Sequence, residues 1–286
     1  MHNSQLKFSE FYQQIKNLLL HDNLTISILL SLTFFNWFFE IWKWKTLSNT
    51  IRNTSFIEAT KQSLAALTTS LFTPNRIGDY GAKALYFPRN KWKAMALNLL
   101  GNLYQLTATI LFGIVGLIFF IKTFDVEINP HRIHGIAYLF GFLMLYFIPN
   151  KNREVKLFTY LKLDKLRGFV KKITLKIHLK IIIFSLFRYI IFSFQFYFLL
   201  RIFGLEVDSL TLLYLIYTMY IIASFIPSIS LFDWAVKGSV AIYVFSFIDV
   251  SDITIITITL LMWVLNFAIP AILGSLFVMN FKFQKE

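Results

Sequence analysis

The stretch TPNRIGDYGAKALYF, residues 73–87, places a proline, two glycines and three charged side chains between two apolar runs. The run before it, 56–72, is long enough to enter a membrane, whereas the stretch itself is too short and too polar to face lipid. Broken backbone at membrane depth is tolerated only where protein or water surrounds it. We therefore predict that the chain breaks at Pro74 and that a second half-helix returns to the same side.

The composition of the whole chain is that of an integral membrane protein. Hydrophobic residues make up 57% of the 286 positions and the mean hydropathy is +0.62, which is more apolar surface than a soluble domain of this size can bury. The sequence contains no cysteine, so disulfides and thiolate chemistry are excluded. We predict an all-α, polytopic helical protein with six or seven spans, drawn from the apolar runs 24–42, 56–72, 94–121, 132–149, 181–203, 210–226 and 253–279.

The net charge of +13 is concentrated in one segment rather than spread over a surface that would suit nucleic acid. Residues 150–180 hold ten Lys or Arg against two acidic residues. By the positive-inside rule, we expect this loop and the C-terminus to be cytoplasmic. The expected organisation is a polar segment over 1–23, a single transmembrane domain over 24–280 and a tail over 281–286.

A second break in the chain resembles the first. An apolar run ends at Pro227, and Asp233 and Lys237 follow with the same four-residue spacing as Asp79 and Lys83. An Asp at a helix start accepts bonds from free N–H groups, and a Lys one turn later can pair with it. We predict two re-entrant hairpins that form an inverted repeat and face each other across a polar space, as in transporters. A chance match between two short apolar segments is the alternative.

Candidate binding residues lie in the two breaks and in the neighbouring spans. The polar stripe in 94–121 could line a cavity or join neighbouring helices. Arg188 could bind a lipid phosphate or reach toward the interface, and Glu40 is most simply an interfacial partner of Lys43. We interpret Gly113 and Gly116 as close-packing positions. The predicted substrate-binding residues are Arg76, Asp79, Lys83, Asn98, Asn102, Gln105, Arg188, Asp233 and Lys237, and the predicted break residues are Pro74, Gly78, Gly81 and Pro227.

Signs of catalysis, cofactors or metals are absent from the sequence pattern. The five histidines lie near the ends of spans or outside them, and His131 and His134 have no carboxylate pair beside them. No Ser/His, paired Asp or zinc-ligand spacing falls within a span. We expect no cofactor, no metal site and no enzymatic activity.

Three blocks resemble the lysylphosphatidylglycerol synthase transmembrane-region family, a flippase-like membrane domain. They are residues 70–84 (SLFTPNRIGDYGAKA), 99–105 (LLGNLYQ) and 225–230 (FIPSIS), and the likeness extends over roughly 25–280. The last block departs from the family, which tends to have glycines in this turn. The resemblance implies a bacterial inner-membrane protein that moves an anionic or aminoacylated lipid between leaflets.

The same resemblance shapes our expectations about partners. Bifunctional members of the family carry a soluble aminoacyltransferase domain, but only seven residues follow position 279 here. We therefore expect phospholipids as partners, together with a separate lipid-modifying enzyme. Family members often begin with one more span, so an N-terminal span could be missing. The alternative function is a non-transporting accessory or scaffold subunit of envelope lipid or polysaccharide synthesis.

Overall fold

A computed structural model describes residues 12, 13, 16, 23–74, 76–126 and 168–281. The predicted span 132–149 and most of the basic loop 150–180 lie outside these residues. The described part is helical and contains no strand, with α-helices α1 Asn23–Ser48, α2 Phe56–Ser70, α3 Ile77–Leu85, α4 Lys91–Phe124, α5 Leu175–Ile202, α6 Ser209–Ser224, α7 Asp233–Phe245, α8 Asp252–Trp263 and α9 Ile269–Met279.

Five helical stretches of the described residues are long and apolar enough to cross a membrane: 23–48, 88–124, 175–202, 230–248 and 252–279. The prediction of an all-α, polytopic membrane protein is confirmed. Helices α2 and α3 are shorter, at 15 and 9 residues. At about 1.5 Å per residue, neither one spans the roughly 30 Å hydrocarbon layer.

Several helix ends differ from the sequence prediction, and those of α2 and α5 are two examples. Helix α2 stops at Ser70 instead of continuing to 72, since the chain already turns ahead of Pro74. Helix α5 begins at Leu175, inside the predicted basic loop, and carries exposed Lys176 and Lys180 in its first turns. A prediction from apolar runs alone misses the first turns of α5, because a helix can continue where its charged side chains face solvent.

The order of a long helix, a broken pair and a further long stretch occurs twice in the described chain. Helices α1, α2–α3 and α4 form the first set, and α5, α6–α7 and α8–α9 form the second. The sets exchange partners, because α4 packs along α6, α9 packs along α2, and α1 packs along α5. Each half therefore completes the other half's broken pair.

Glycines allow both of these exchanged contacts. A Cβ at Gly113 would clash with Ile221, and one at Gly274 would clash with the carbonyl of Leu64. A Cβ at Gly116 would lie 2.6 Å from the Cβ of Tyr217. The interpretation of Gly113 and Gly116 as close-packing positions is confirmed.

Candidate functional site

The two breaks contact each other through their backbones. Pro74 and Ile229 form an isolated antiparallel bridge, and the Leu231 N–H donates a hydrogen bond of 3.0 Å to the carbonyl of Leu71. The tips of the two broken pairs are therefore joined through their backbones, and the charged side chains of both breaks lie around this junction.

The first break holds a buried ring of three polar side chains. Lys83 Nζ lies 3.2 Å from Asp79 Oδ1 and donates to Asn98 Oδ1 at 2.8 Å, while Asn98 Nδ2 donates to Asp79 Oδ2 at 3.0 Å. Only 2% of the Lys83 side chain and 5% of the Asp79 side chain are exposed. Lys83 Nζ also lies 4.6 Å from the centre of the Trp44 ring. The predicted Asp79–Lys83 pair forms, and it is sealed.

Gly78 makes the tight crossing of α2 and α3 feasible. Its N–H donates to Thr73 Oγ1 at 2.9 Å, its carbonyl accepts from Thr69 Oγ1 at 3.2 Å, and a Cβ would lie 2.5 Å from the Thr69 carbonyl oxygen. Among the described residues, no atom outside the backbone of its own helix and its chain neighbours lies within 4 Å of a Cβ built at Gly81. The expected close approach of backbones therefore occurs at Gly78 and not at Gly81, which points away from neighbouring elements.

The second break holds a more open pair. Lys237 Nζ lies 2.6 Å from Asp233 Oδ2, and Ser228 Oγ donates to Asp233 Oδ1 at 3.0 Å. The exposed fractions are 26% for the Lys237 side chain and 21% for that of Asp233. Both residues line a narrow cavity whose other walls include Phe192, Tyr220, Trp263 and Phe267.

Arg76 lies between the two ion pairs. It directly precedes α3 in the left-handed conformation, with φ of 58° and no side-chain capping bond, and its guanidinium lies 5.8 Å from the centre of the Phe267 ring. Lys237 Nζ lies 5.3 Å from the same ring. Arg76 is within electrostatic range of both Asp79 and Asp233, yet its buried Nε has no hydrogen-bond partner among the described residues.

A third charged cluster connects α1 to α5. Glu40 lies 2.6 Å from Arg188 Nη1 and 2.7 Å from Lys43 Nζ, and Arg188 Nε donates to Asn36 Oδ1 at 3.0 Å. The predicted Glu40–Lys43 pair is confirmed, but it is buried instead of interfacial. Arg188 does not reach toward the interface, because Glu40 and Asn36 hold it inside the bundle.

Asn266 connects this cluster to the end of the chain and was not predicted. It lies in a π-helical segment, Val264–Ala268, between α8 and α9. Its Oδ1 accepts from Asn36 at 2.7 Å, its Nδ2 donates to Gln195 at 2.8 Å, and its carbonyl accepts from Trp37 at 3.0 Å. Such π segments are frequent at functional sites. The available signal was a lone amide side chain in each of three predicted apolar runs, namely Asn36 in 24–42, Gln195 in 181–203 and Asn266 in 253–279.

The predicted polar stripe of α4 is divided among different partners. Asn98 belongs to the ring of the first break, and Asn102 donates to the Tyr80 hydroxyl at 3.0 Å. Gln105 instead contacts the Ser185 carbonyl on α5 at 3.4 Å. Asn98 and Asn102 therefore belong to the site, whereas Gln105 links helices α4 and α5.

The charges around the junction do not balance. Among the described side chains of the three clusters there are five cations and three anions, namely Lys43, Arg76, Lys83, Arg188 and Lys237 against Glu40, Asp79 and Asp233. Surplus charge at membrane depth is costly unless a partner compensates it. The arrangement suits a bound anion.

A family model for the lysylphosphatidylglycerol synthase TM region matches residues 4–274, which include all three charged clusters. No curated protein and no solved structure gives a significant match.

Proposed function

The chain belongs to the lysylphosphatidylglycerol synthase TM region family, and from that premise we propose that it translocates an anionic phospholipid, plain or aminoacylated, between membrane leaflets. The observation that carries the proposal is the junction of two broken pairs at Pro74 and Ile229, surrounded by surplus positive charge. Transporters place their substrate sites where discontinuous helices meet near the bilayer midplane.

Arg76 is the proposed ligand of the lipid phosphate. A guanidinium stays charged, and its planar fork can hold a phosphate with two hydrogen bonds. The guanidinium of Arg76 makes no ion pair of its own within the described residues, and its buried Nε has no partner. Lys237 lies on the same aromatic ring and can exchange Asp233 for the phosphate as the headgroup passes.

The proposed setting is the inner membrane of a bacterium, with loop 150–180 and the C-terminus in the cytoplasm. The charge bias of that loop supports this orientation. The protein performs no chemistry itself in this proposal, and any aminoacylation of the lipid is carried out by a separate enzyme.

Reconstitution tests the proposal directly. The protein is placed in liposomes with a fluorescent anionic phospholipid, and the transfer of label between leaflets is followed by quenching from outside. We expect transfer above that of empty liposomes, and a loss of roughly tenfold or more in Arg76→Ala, because one charged hydrogen-bonding partner of the phosphate is removed. Arg52→Ala is the matched control, since Arg52 is an exposed partner of Glu58. Transfer equal to that of empty liposomes would refute the proposal.

The alternative is an accessory subunit that supports a membrane enzyme. The sealed ring around Asp79 and Lys83 favours it, because every strong bond there is already made inside the protein. Under this alternative, Arg76→Ala leaves lipid distribution unchanged and a stable enzyme partner co-purifies with the chain.

A further inference from the structure

A wide groove opens where the first turns of α4 and α5 meet the loop after α1. Its volume is about 630 Å³, which falls within the roughly 300–1,000 Å³ of typical ligand pockets. Its lining includes Thr50, Trp92, Lys93, Phe169, Lys172 and Ile177. No lining residue belongs to the three charged clusters around the junction, so the groove is a separate feature of the described chain.

The groove lies at the membrane–water boundary of two helices. Trp92 follows the start of the apolar stretch 88–124, and Ile177 lies in the first turn of the stretch 175–202. The Trp92 ring meets that of Phe169 edge-on, with centroids 5.3 Å apart, so both stretches begin on the same side of the bundle. Trp92 remains 49% exposed, as is usual for a tryptophan among lipid headgroups.

The groove is cationic. Lys93 and Lys172 line it, and neither takes part in an ion pair with another described residue. The three segments that meet here, 49–58, 86–93 and 168–176, hold seven basic side chains and one acidic side chain. A cleft lined by charges of one sign attracts counter-charges from its surroundings.

The neighbouring parts of the chain do not neutralise these lysines. Glu58, the acidic residue of the three segments, is paired with Arg52 at 3.4 Å. The sequence 150–167, which leads to the groove, carries six basic and two acidic residues, so its charge does not complement the lysines either. The charge of the groove therefore favours an anion from outside the chain.

An anionic phospholipid fits both the charge and the depth of the groove. Its phosphate accepts hydrogen bonds from lysine ammonium groups, and basic segments at a membrane surface attract anionic lipids. Phe169 and Ile177 add an apolar wall beside Trp92, which suits the glycerol and the first acyl carbons of a lipid. A free phosphate would leave this wall without a contact.

We propose that this groove binds the headgroup of an anionic phospholipid from the adjacent leaflet, at a site separate from the junction. Lys93 and Lys172 hold the phosphate, and Trp92 packs against the glycerol. The site binds its lipid whether or not the chain translocates lipid.

The test titrates the purified full chain in neutral detergent with dioleoyl phosphatidylglycerol, and native mass spectrometry counts the bound lipids. Lys93→Gln with Lys172→Gln should weaken the binding of one lipid roughly 30-fold, at about fivefold per lysine. Lys61→Gln with Lys122→Gln is the matched control, because it removes the same charge from exposed positions outside the groove and should leave binding unchanged. Melting temperatures equal to that of the wild type show that both variants fold.

Two further ligands identify the occupant. Dioleoyl phosphatidylcholine should bind far more weakly, and inorganic phosphate in excess should not displace phosphatidylglycerol. Unchanged binding in the groove variant, or equal binding of phosphatidylcholine, would overturn the proposal. Displacement by inorganic phosphate would also overturn it, because the groove would then be a site for free phosphate.

A repeat in the Arg76→Ala background separates this site from the proposed translocation site. The two groove substitutions should still remove one bound lipid there. Because the readout is binding in detergent, a failed transfer assay in liposomes would refute the proposed translocation and leave this result intact.

Discussion

The two breaks share a motif but differ in what surrounds it. In both, an Asp and a Lys four residues later form an ion pair at the start of a helix after a proline. At the first break, Asn98 and Trp44 close over the pair. At the second, the pair keeps about a quarter of its lysine exposed and lines a cavity.

This difference indicates that the same Asp–Lys spacing can serve a structural role at the first break and a ligand-binding role at the second. The first pair has its strong bonds satisfied within the protein, so it suits holding the tip of the hairpin together. The second pair is open enough to exchange a partner, so it suits contact with a ligand.

The largest effect is expected from Lys83→Met at the first break. It leaves the carboxylate of Asp79 buried without its cation, which should cost about 3–5 kcal/mol of stability. The measurement is the fraction of monodisperse protein after detergent extraction, together with its melting temperature. The double variant Asp79→Asn with Lys83→Met should recover most of the loss. A wild-type melting temperature in the single variant would contradict the sealed role.

A smaller effect is expected from Gly78→Ala. Its methyl group would press on the Thr69 carbonyl, and overpacking of this kind costs about 1–3 kcal/mol. Gly81→Ala is the matched control in the same helix, and it should be neutral or stabilising by up to about 1 kcal/mol. The corresponding position before Asp233 holds an exposed Phe232, so the second break has no such crossing to protect. Equal melting temperatures for the two variants would remove this distinction.

The smallest effect on stability is expected from Lys237→Met. Because this pair is partly exposed, its loss should lower the free energy of unfolding by only about 1 kcal/mol. The rate of lipid transfer should nevertheless fall strongly, since Lys237 is a proposed ligand of the phosphate. Lys237→Arg keeps the charge and should retain most of the transfer. If Lys237→Met destabilised the protein as strongly as Lys83→Met, the proposed difference in role between the two breaks would be wrong.

Much of the fold follows from patterns that a single chain displays. Apolar runs mark the long helices, and charges within a run mark the breaks, because hydrocarbon tolerates few charges and little broken backbone. The packing of α4 and α9 against the opposite half could not be predicted, since it depends on contacts between helices that are far apart in the sequence. The sequence around Gly274 does not indicate that this glycine packs against Leu64, and only the folded structure shows the contact.

The site was predictable only where its partners are close in sequence. The pairs Asp79–Lys83 and Asp233–Lys237 follow from helical spacing, whereas the Glu40–Arg188 pair joins residues far apart in the chain. Asn266 was missed for the same reason, because its bonds reach two other helices. The sequence also did not predict how deeply each ion pair is buried, and this difference in burial distinguishes the two breaks.

The packing of α9 against α2 has a consequence for how the chain is made. Ser70 ends α2 and Ile269 begins α9, so about 200 residues separate them, which at roughly 5–20 residues per second is about 10–40 s of synthesis. During that interval the first hairpin stands in the membrane without its final neighbour. Trp44 precedes it and Asn98 follows soon after, so the ring can close early and shield its charges while the ribosome finishes the chain.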